Sequence, residues 1–393
     1  MKDSNSSSFV PKKNPQLSNS TLQIIKVENR QTRDTFIRLP WALYKDDPLW
    51  IPPLLLERRM HLSPKNPYFE HATCCFWIAL RDGKPVGRIS AQVDQLYLDN
   101  YQDDTGFWGM LEAEDNTETF RELLTTAESW LRDQGMKRAQ GPFNLSINQE
   151  CGMLVDGFDT PPSMMMGHAL PYYADYIEQC DYHKEKDLLA YISDGDVEPS
   201  ATRKMIVKKT QKRIHTRSLD KSNFDKELDT IFTIFNDAWA QNWGFVPFTP
   251  NEFSHLAKDL KLLIKEEFVS IAYVDDIPAA FIIMLPNLNE AIQDLNGALF
   301  PAGWLKMLWR LKVKSPQSGR ILLMGVLSKY HESLLGAALA YRVIGDIQEA
   351  AIKYGIKKVE LSWVLEDNVG MRNIIKDGGA REYKTYRIYG KEI

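Results

Sequence analysis

Four cysteines in 393 residues are too few for a disulfide framework, and their placement excludes a zinc pattern. Cys74 and Cys75 are adjacent, while Cys151 and Cys180 have no second metal-spaced partner. They read as small apolar side chains, and no metal is expected. No run approaches the roughly eighteen apolar residues of a membrane-spanning helix, and the polar start Met1 to Gln16 lacks the apolar core of a signal peptide. A soluble, cytoplasmic protein is expected. Neither sign of charge dominates: 48 Lys and Arg against 52 Asp and Glu leave a net charge of -4, which excludes the basic excess of a nucleic-acid binder. What remains is 44% hydrophobic and 25% charged, enough apolar surface for two ordinary cores.

Residues 1–20, rich in Ser and Asn, cannot bury enough surface to offset their ordering and read as a tail. A strand is expected at Leu22 to Glu28, then the Trp41-Ala42-Leu43-Tyr44 helix fragment and the proline-rich stretch Asp47 to Pro53. Phe76 to Leu80 and Val86 to Val93 flank Asp82-Gly83 as a hairpin. Gly106 to Ala113 reads as a strand, and Phe120, Leu123, Leu124, Ala127, Trp130 and Leu131 keep helical spacing until Gly135. Lys137 to Phe143 resumes as a strand. The second half repeats this order: a helix across Phe235 to Asn242, a hairpin of Phe268 to Val274 with Pro278 to Leu285, and Arg320 to Leu327 as a strand buried on both faces. A long helix from near His331 to before Gly355, a strand at Lys357 to Leu365, a short helix at Asn368 to Lys376 and a final strand at Tyr383 to Lys391 complete it.

The halves read as copies. Ala79, Asp82, Pro85 and Ile89 recur as Ala272, Asp275, Pro278 and Ile282, since 272 and 79, like 282 and 89, differ by 193; Lys186 and Tyr191 recur as Lys384 and Tyr389 at an offset of 198. With a junction at Ser193 to Pro199, the expected units are 21–198 and 199–393, the second carrying an insertion at 286–319. Within it, Phe300 to Lys314 mixes Trp304, Leu305, Met307, Leu308 and Leu311 with Lys306, Arg310, Lys312 and Lys314. Two readings stay open, a peripheral membrane contact through 300–314 and a helix folded back on its own core. The basic run Arg203 to Arg217 reads as a solvated helix face.

A buried strand that turns near Gly336 into a long helix offers backbone N–H groups to an anion, or simply packs the helix closely on the sheet. Val326-Leu327-Ser328-Lys329-Tyr330-His331-Glu332-Ser333-Leu334-Leu335-Gly336 resembles the pyrophosphate loop of the GNAT superfamily of acyl-CoA-dependent N-acyltransferases, usually Val-x-Pro-x-x-Arg-x-x-Gly-x-Gly. Val326 and Gly336 match; Ser328, His331 and Leu334 stand at the proline, the basic position and the first glycine. Asn368-Val369-Gly370-Met371 followed by Gly379 is similar to the family's Asn-x-x-Ala helix, with Ile375 where many members keep a tyrosine acid. Glu360 to Asn368 with Lys384 to Tyr389 looks like a bacterial tandem-GNAT family.

The resemblance implies an α/β protein of two fused GNAT-like domains, each a mixed, mostly antiparallel sheet flanked by helices. It implies acyl-CoA or acetyl-CoA as co-substrate, held in the second half by Val326, Leu327, Ser333, Leu335, Gly336, Ala337 and Asn368. It further implies acyl transfer to an amine, either a small molecule or a lipid as in bacterial ceramide-synthase-like N-acyltransferases. A different outcome is a non-catalytic scaffold that has lost CoA. For such a reaction Glu360 is expected as base or water-positioning group, with Ser362, on the same strand face by period two, as a polar contact; a solvated strand edge is the plain alternative. Tyr386 and Tyr389 are phenols able to protonate a leaving thiolate if positioned, or core residues. Glu366 and Asp367 read as caps of the following helix.

The corresponding turn of the first half, Glu112-Ala113-Glu114-Asp115-Asn116, sets three carboxylates where a phosphate would sit and repels it, so that half is expected to bind no CoA. Two further runs are distinctive, Asn148-Gln149-Glu150-Cys151-Gly152 and Met164-Met165-Met166-Gly167-His168. Cys151 with His168 lacks the glycine pattern of an oxyanion site, and His168 reads as a hydrogen-bonded structural histidine. The methionines suit either an irregular core gap or a flexible wall for a long acyl chain.

Overall fold

Two hairpins organise the chain, each closed by a turn with left-handed backbone: Asp82 and Gly83 in the first half, Asp275 and Asp276 in the second. The structure, a computed structural model, describes residues 21–195, 198–261 and 263–393; the expected tail lies outside them. The first half runs β1 (Leu22–Lys26), α1 (Arg30–Leu43), α2 (Leu55–His61), β2 (Ala72–Arg81), β3 (Lys84–Asp94), α3 (Gln95–Tyr101), β4 (Thr105–Ala113), α4 (Thr117–Asp133), β5 (Arg138–Gly141), β6 (Met153–Asp156), α5 (Tyr172–Glu178) and β7 (His183–Asp194). The second runs α6 (Ala201–Thr210), β8 (Ile214–Ser218), α7 (Phe224–Trp239), α8 (Pro250–Leu260), β9 (Val269–Val274), β10 (Ile277–Pro286), α9 (Leu288–Ile292), α10 (Gly303–Trp309), β11 (Ser318–Val326), α11 (Leu334–Lys353), β12 (Lys358–Leu365), α12 (Val369–Asp377) and β13 (Arg381–Glu392).

The strands join into one mixed sheet in the order β1-β2-β3-β4-β5-β13-β7-β12-β11-β10-β9-β8, with β6 alongside β13. The last strand of each half is thus seated in the sheet of the other. β13 pairs with β5 of the first half, Tyr389 to Glu392 against Gly141 to Arg138, and β7 pairs with β12 of the second. β7 and β13 pair with each other antiparallel, Leu188 opposite Tyr386. Those two positions differ by 198, the offset that relates Lys186 and Tyr191 to Lys384 and Tyr389. Leu188 and Tyr386 thus face one another at the repeat offset, so a local two-fold axis passes between them.

In both halves the strands on either side of the long helix pair in parallel only briefly. β4 and β5 pair over Thr105–Phe107 and Arg138–Gln140, and β11 and β12 over Ser318–Ile321 and Lys358–Leu361; beyond those points they fork. At the first fork Gly109 is required, because a Cβ there would lie 1.7 Å from the carbonyl oxygen of Phe143. β5 therefore stops at Gly141, short of the expected Phe143. β11 was expected buried on both faces; beyond the fork Leu322, Leu323 and Met324 are only half-buried, because β12 has left their side. α4 packs Phe120, Leu123, Leu124, Ala127 and Leu131 into the first core. α11 packs Leu339, Val343, Ile347 and Ala351 on one face of the second sheet, while α7 and α8 cover the other. The basic run is only in part a solvated face: Arg203 is buried against Gln348 and the Tyr341 carbonyl.

His71 stands between the halves. Its Nδ1 lies 2.9 Å from Asp94 Oδ1 and its Nε2 3.3 Å from Glu252 Oε1, and Glu252 also closes the capping box that begins α8. Burial lowers the His71 pKa, but the two carboxylates outweigh it and raise it to about 9. A histidine whose folded pKa is raised stabilises the fold in full below its unfolded pKa of about 6.5, and that contribution is lost as pH rises through about 9. Thermal denaturation followed from pH 6 to 10 is expected to show a fall in Tm over that window, flattened in His71→Gln; parallel curves for the two proteins would refute the bridge.

Candidate functional site

The second fork, where sequence reasoning placed the chemistry, is closed by the protein itself. Arg320 on β11 is buried, with Nε donating to Ser362 Oγ at 3.0 Å and Nη2 to the Ser362 carbonyl at 3.2 Å. Its Nη1 reaches across to the Met164 and Met165 carbonyls at 2.9 and 3.3 Å. Ser362 Oγ in turn donates to Glu360 Oε1 at 2.5 Å, and the Tyr383 hydroxyl donates to Glu360 Oε2. Glu360 is 1% exposed, so it does not line a solvated edge; it is the acceptor of a closed network. Met164 and Met165 join the apolar cluster of Leu322, Leu323 and Leu327, and Met166 Sδ lies 3.4 Å from Ser362 Oγ. The methionine run of the first half thus occupies the fork of the second.

The other expected residues lie apart from this network. Tyr389 is fully buried with its hydroxyl 3.3 Å from Glu178, and burial raises its pKa. Val326 ends β11, and its carbonyl contacts His331 Nε2; the Leu327 amide donates to Ala279. Ser333 caps α11, its Oγ accepting from the Gly336 amide at 3.0 Å, and a Cβ at Gly336 would strike the Tyr330 carbonyl at 2.1 Å. Leu335 and Ala337 lie in the first turn of that helix, where the amides of Leu334 and Leu335 have no acceptor among the described residues. Asn368, rather than Glu366 or Asp367, caps α12. Those two carboxylates instead pair with Lys184 and Lys186 of β7, because the exchanged strand brings ammonium groups to them.

The large cavity opens elsewhere, beside the first fork. It encloses about 960 Å³, at the upper end of the roughly 300–1,000 Å³ of ligand sites. Met110 and Glu112 of β4 line it, with Asn144, Asn148, Gln149 and Glu150 from the loop after β5, and Met164 to His168 form one side. α1, α2 and the Trp50 to Leu54 stretch form another. The second half contributes α8, Leu288, Ile292 and the insertion residues Leu299, Met307, Leu308 and Leu311. Its walls are mostly apolar.

Polar groups gather at two places in this chamber. Glu112 accepts from Tyr44 and, at 2.9 Å, from Tyr173, with Arg88 Nη2 3.8 Å away; burial pushes its carboxyl up, opposed by Arg88. Tyr44 also lies 3.3 Å from the His168 carbonyl, which joins Glu112 to a second pair. His168 Nε2 is 2.7 Å from Asp47 Oδ2, and burial lowers the imidazole pKa against the pull of Asp47. Asp47 is held below the usual carboxylate range, since its bonds to His168 and to the Leu49 amide outweigh its burial. An ionised Asp47 only accepts, so Nε2 carries the hydrogen and Nδ1 presents a lone pair. At the other place Arg58 pairs with Glu150 at 3.1 Å, and Asn144 donates to the same carboxylate.

Three buried side-chain atoms of chamber residues have no hydrogen-bond partner among the described residues: His168 Nδ1, Arg88 Nε and Gln149 Oε1. Buried polar atoms are nearly always paired, so unpaired ones in a cavity are acceptors and a donor held ready for something else. The Met164–His168 and Asn148–Glu150 runs were visible in the sequence; Asp47, Tyr44 and Arg88 were not, and Glu112 was read only as part of an acidic turn. Of that turn Glu114 pairs with Arg81 and Asp115 with Tyr176, while Glu112 points inward. The Cys151 thiol is buried, and burial raises its pKa.

Replacing Arg320 by Met leaves Glu360 buried without its cation and the Met164 carbonyl without its donor. Urea denaturation should show a loss of about 3–5 kcal/mol, largely restored in Arg320→Met with Glu360→Gln. A single-variant loss below about 1 kcal/mol, the range of exposed pairs, would mean the network is hydrated.

No family model matches the chain. It is 45% identical over 366 residues to Protein YghO of Escherichia coli (strain K12), covering 93% of this chain and 94% of that protein. It is 44% identical over 379 residues to the bacterial ceramide synthase of Caulobacter vibrioides (strain NA1000 / CB15N), covering 95% and 98%. Among solved structures it resembles a tandem GNAT protein from the clavulanic acid biosynthesis pathway, with a TM-score of 0.53 at 11% identity over 95% of this chain and 98% of that one. The chain belongs to the family of Protein YghO and the bacterial ceramide synthase, built on the tandem GNAT fold.

Proposed function

We propose that this chain is an N-acyltransferase that moves a long acyl group from a CoA thioester to the amine of a long-chain, lipid-like acceptor, working in the cytoplasm and in peripheral contact with the inner face of the membrane. The observation that carries it is an apolar chamber of about 960 Å³ converging on buried polar atoms that lack partners among the described residues. The ceramide synthase relative bears a name of the same chemistry.

The amine enters the chamber neutral, its ammonium proton left to water, so that its lone pair can attack the thioester carbonyl. As the attack makes that nitrogen cationic, His168 Nδ1 takes one of its protons, and Asp47 holds the imidazole in the required tautomer and offsets its charge once it forms. As the C–N bond forms, the carbonyl oxygen becomes an oxyanion, and Arg88 Nε–H is the available buried donor. Gln149 Oε1 accepts from an N–H of the attacking amine or from a neighbouring hydroxyl of the acceptor. The intermediate collapses by breaking the C–S bond, and the proton on His168 passes to the departing thiolate, leaving amide and free thiol. In this reading Glu360 and Ser362 act through Arg320, which fixes the methionine wall.

For the carrier's phosphates the turn before α11 remains the candidate, through the open amides of Leu334 and Leu335 at a helix N-terminus. Against it stands Asp237, whose carboxylate takes the Ser328 amide at 2.6 Å in the same turn and favours the scaffold reading.

Thermal denaturation with CoA, acetyl-CoA or palmitoyl-CoA separates the two readings. A ligand at about 100 times its Kd adds roughly 2.7 kcal/mol, and palmitoyl-CoA is expected to shift Tm most. Ser333→Asp keeps the cap but sets a negative charge at the turn, so it should erase the shift. A shift intact in that variant removes the phosphates from the turn, and no shift with any of the three supports the scaffold. With palmitoyl-CoA and a long-chain amine, His168→Gln is expected to slow amide formation by about 10²–10⁴. The wild-type rate should fall only as the pH drops below the usual imidazole range, because burial lowers the base's pKa. An unchanged rate in His168→Gln would assign the proton to another group.

A further inference from the structure

The segment between β10 and β11 has two working faces. Inward, Leu299, Met307, Leu308 and Leu311 line the chamber. Outward, Phe300 (76% exposed), Trp304, Leu305, Trp309 and Val313 stand in solvent. Five of the twelve exposed large hydrophobic residues described thus fall within positions 300–313, a patch rather than the scatter of an ordinary surface. Apart from Phe300, which precedes it, the helix that carries them is α10 continued by a wider π turn, Arg310–Lys314.

α2 shares this surface. Leu56 and Met60 line the chamber and are also exposed, and residues with both properties mark where it opens. The insertion is tied to α2 at its start, where the Leu55 amide donates to the Gly297 carbonyl at 3.0 Å. The charges around the patch are basic. Lys306 and Arg310 are held by Asp294, while Lys312 and Lys314 are exposed with no acidic partner among the described residues. Indoles, aliphatic residues and unpaired lysines on one short helix are the composition of an element lying in the headgroup region of an anionic bilayer.

We infer that α10 with its π turn and α2 form a bilayer-seated doorway: Phe300, Trp304, Leu305, Trp309 and Val313 enter the leaflet, Lys312 and Lys314 meet anionic headgroups, and the acceptor's chain slides from the leaflet past Leu56 and Met60 into the chamber. The inference deepens the acyl-transfer reading and rests on it for the identity of what passes through. Continuity decides in favour of a bilayer over a soluble protein partner. The exposed face and the chamber wall belong to the same helix, so an alkyl chain can move from lipid to chamber without exposing its methylenes to water.

The test uses the full chain and vesicles of phosphatidylcholine, with or without phosphatidylglycerol. Wild type is expected to sediment with the mixed vesicles and less with phosphatidylcholine alone, and Trp304→Glu with Trp309→Glu to lose at least about tenfold in partitioning. Neither tryptophan lines the chamber, so the double variant should acylate a short water-soluble amine at the wild-type rate, which also shows that it is folded. On a long-chain amine embedded in the vesicles it should be slower by tenfold or more. Equal partitioning of the two proteins, undiminished transfer to the embedded amine, or an equal loss on both amines overturns the doorway. A wild type that sediments as expected but acylates neither amine refutes the acyl-transfer reading and leaves bilayer docking standing.

Discussion

A strand of four residues cannot stand alone. β5 and its counterpart β12 each come to the middle of the sheet with one side paired briefly to a parallel neighbour and the other side bare. Bare strand edges in a protein interior leave amides and carbonyls without partners, and each half supplies the missing partner for the other through β13 and β7. The pairing of those two strands around Leu188 and Tyr386 makes the halves inseparable and fixes their relative placement. The loop 162–168 is carried to the second fork and α8 with the insertion to the first, so the chamber between them is a consequence of the exchange.

That placement divides the polar groups into two kinds. At the second fork all three side-chain nitrogens of Arg320 donate and both oxygens of Glu360 accept, so the group serves as a hub holding Met164 and Met165. At the first fork the same degree of burial leaves His168 Nδ1, Arg88 Nε and Gln149 Oε1 open. A fully satisfied network builds, and a partly satisfied one beside a cavity waits for a ligand. The two forks are built alike, each beyond a short parallel pairing, yet one is filled by side chains and the other opens on the chamber.

Much of the element list was legible because it rests on local rules. Asp82-Gly83 marks its hairpin by turn chemistry, and the helical spacing from Phe120 to Leu131 and the long apolar face from Leu339 to Ala351 identify α4 and α11 by period. The repeat was legible as well, since Lys186 and Tyr191 return as Lys384 and Tyr389. The site was legible only in fragments. The Met164–His168 and Asn148–Glu150 runs stand out in composition, but nothing near Asp47 announces a partner 121 residues away, and His168 alone reads as structural. Glu360 and Ser362 were correctly placed on one strand face, while the partner that closes them, Arg320, was read as one more residue of an apolar strand.

By itself, then, the chain's sequence determined the hairpins, the two long helices, their order and their duplication, because each depends on contacts within one or two turns of chain. It also marked residues 300–314 as an apolar, aromatic and basic mixture, though which side chains face the chamber and which face solvent was left to the structure. The tertiary structure alone decided that the terminal strands change places, that the methionine run fills the second fork, and that the chamber lies at the first. Those outcomes depend on hydrogen bonds and packing between residues more than a hundred positions apart, and such contacts leave no period in the sequence.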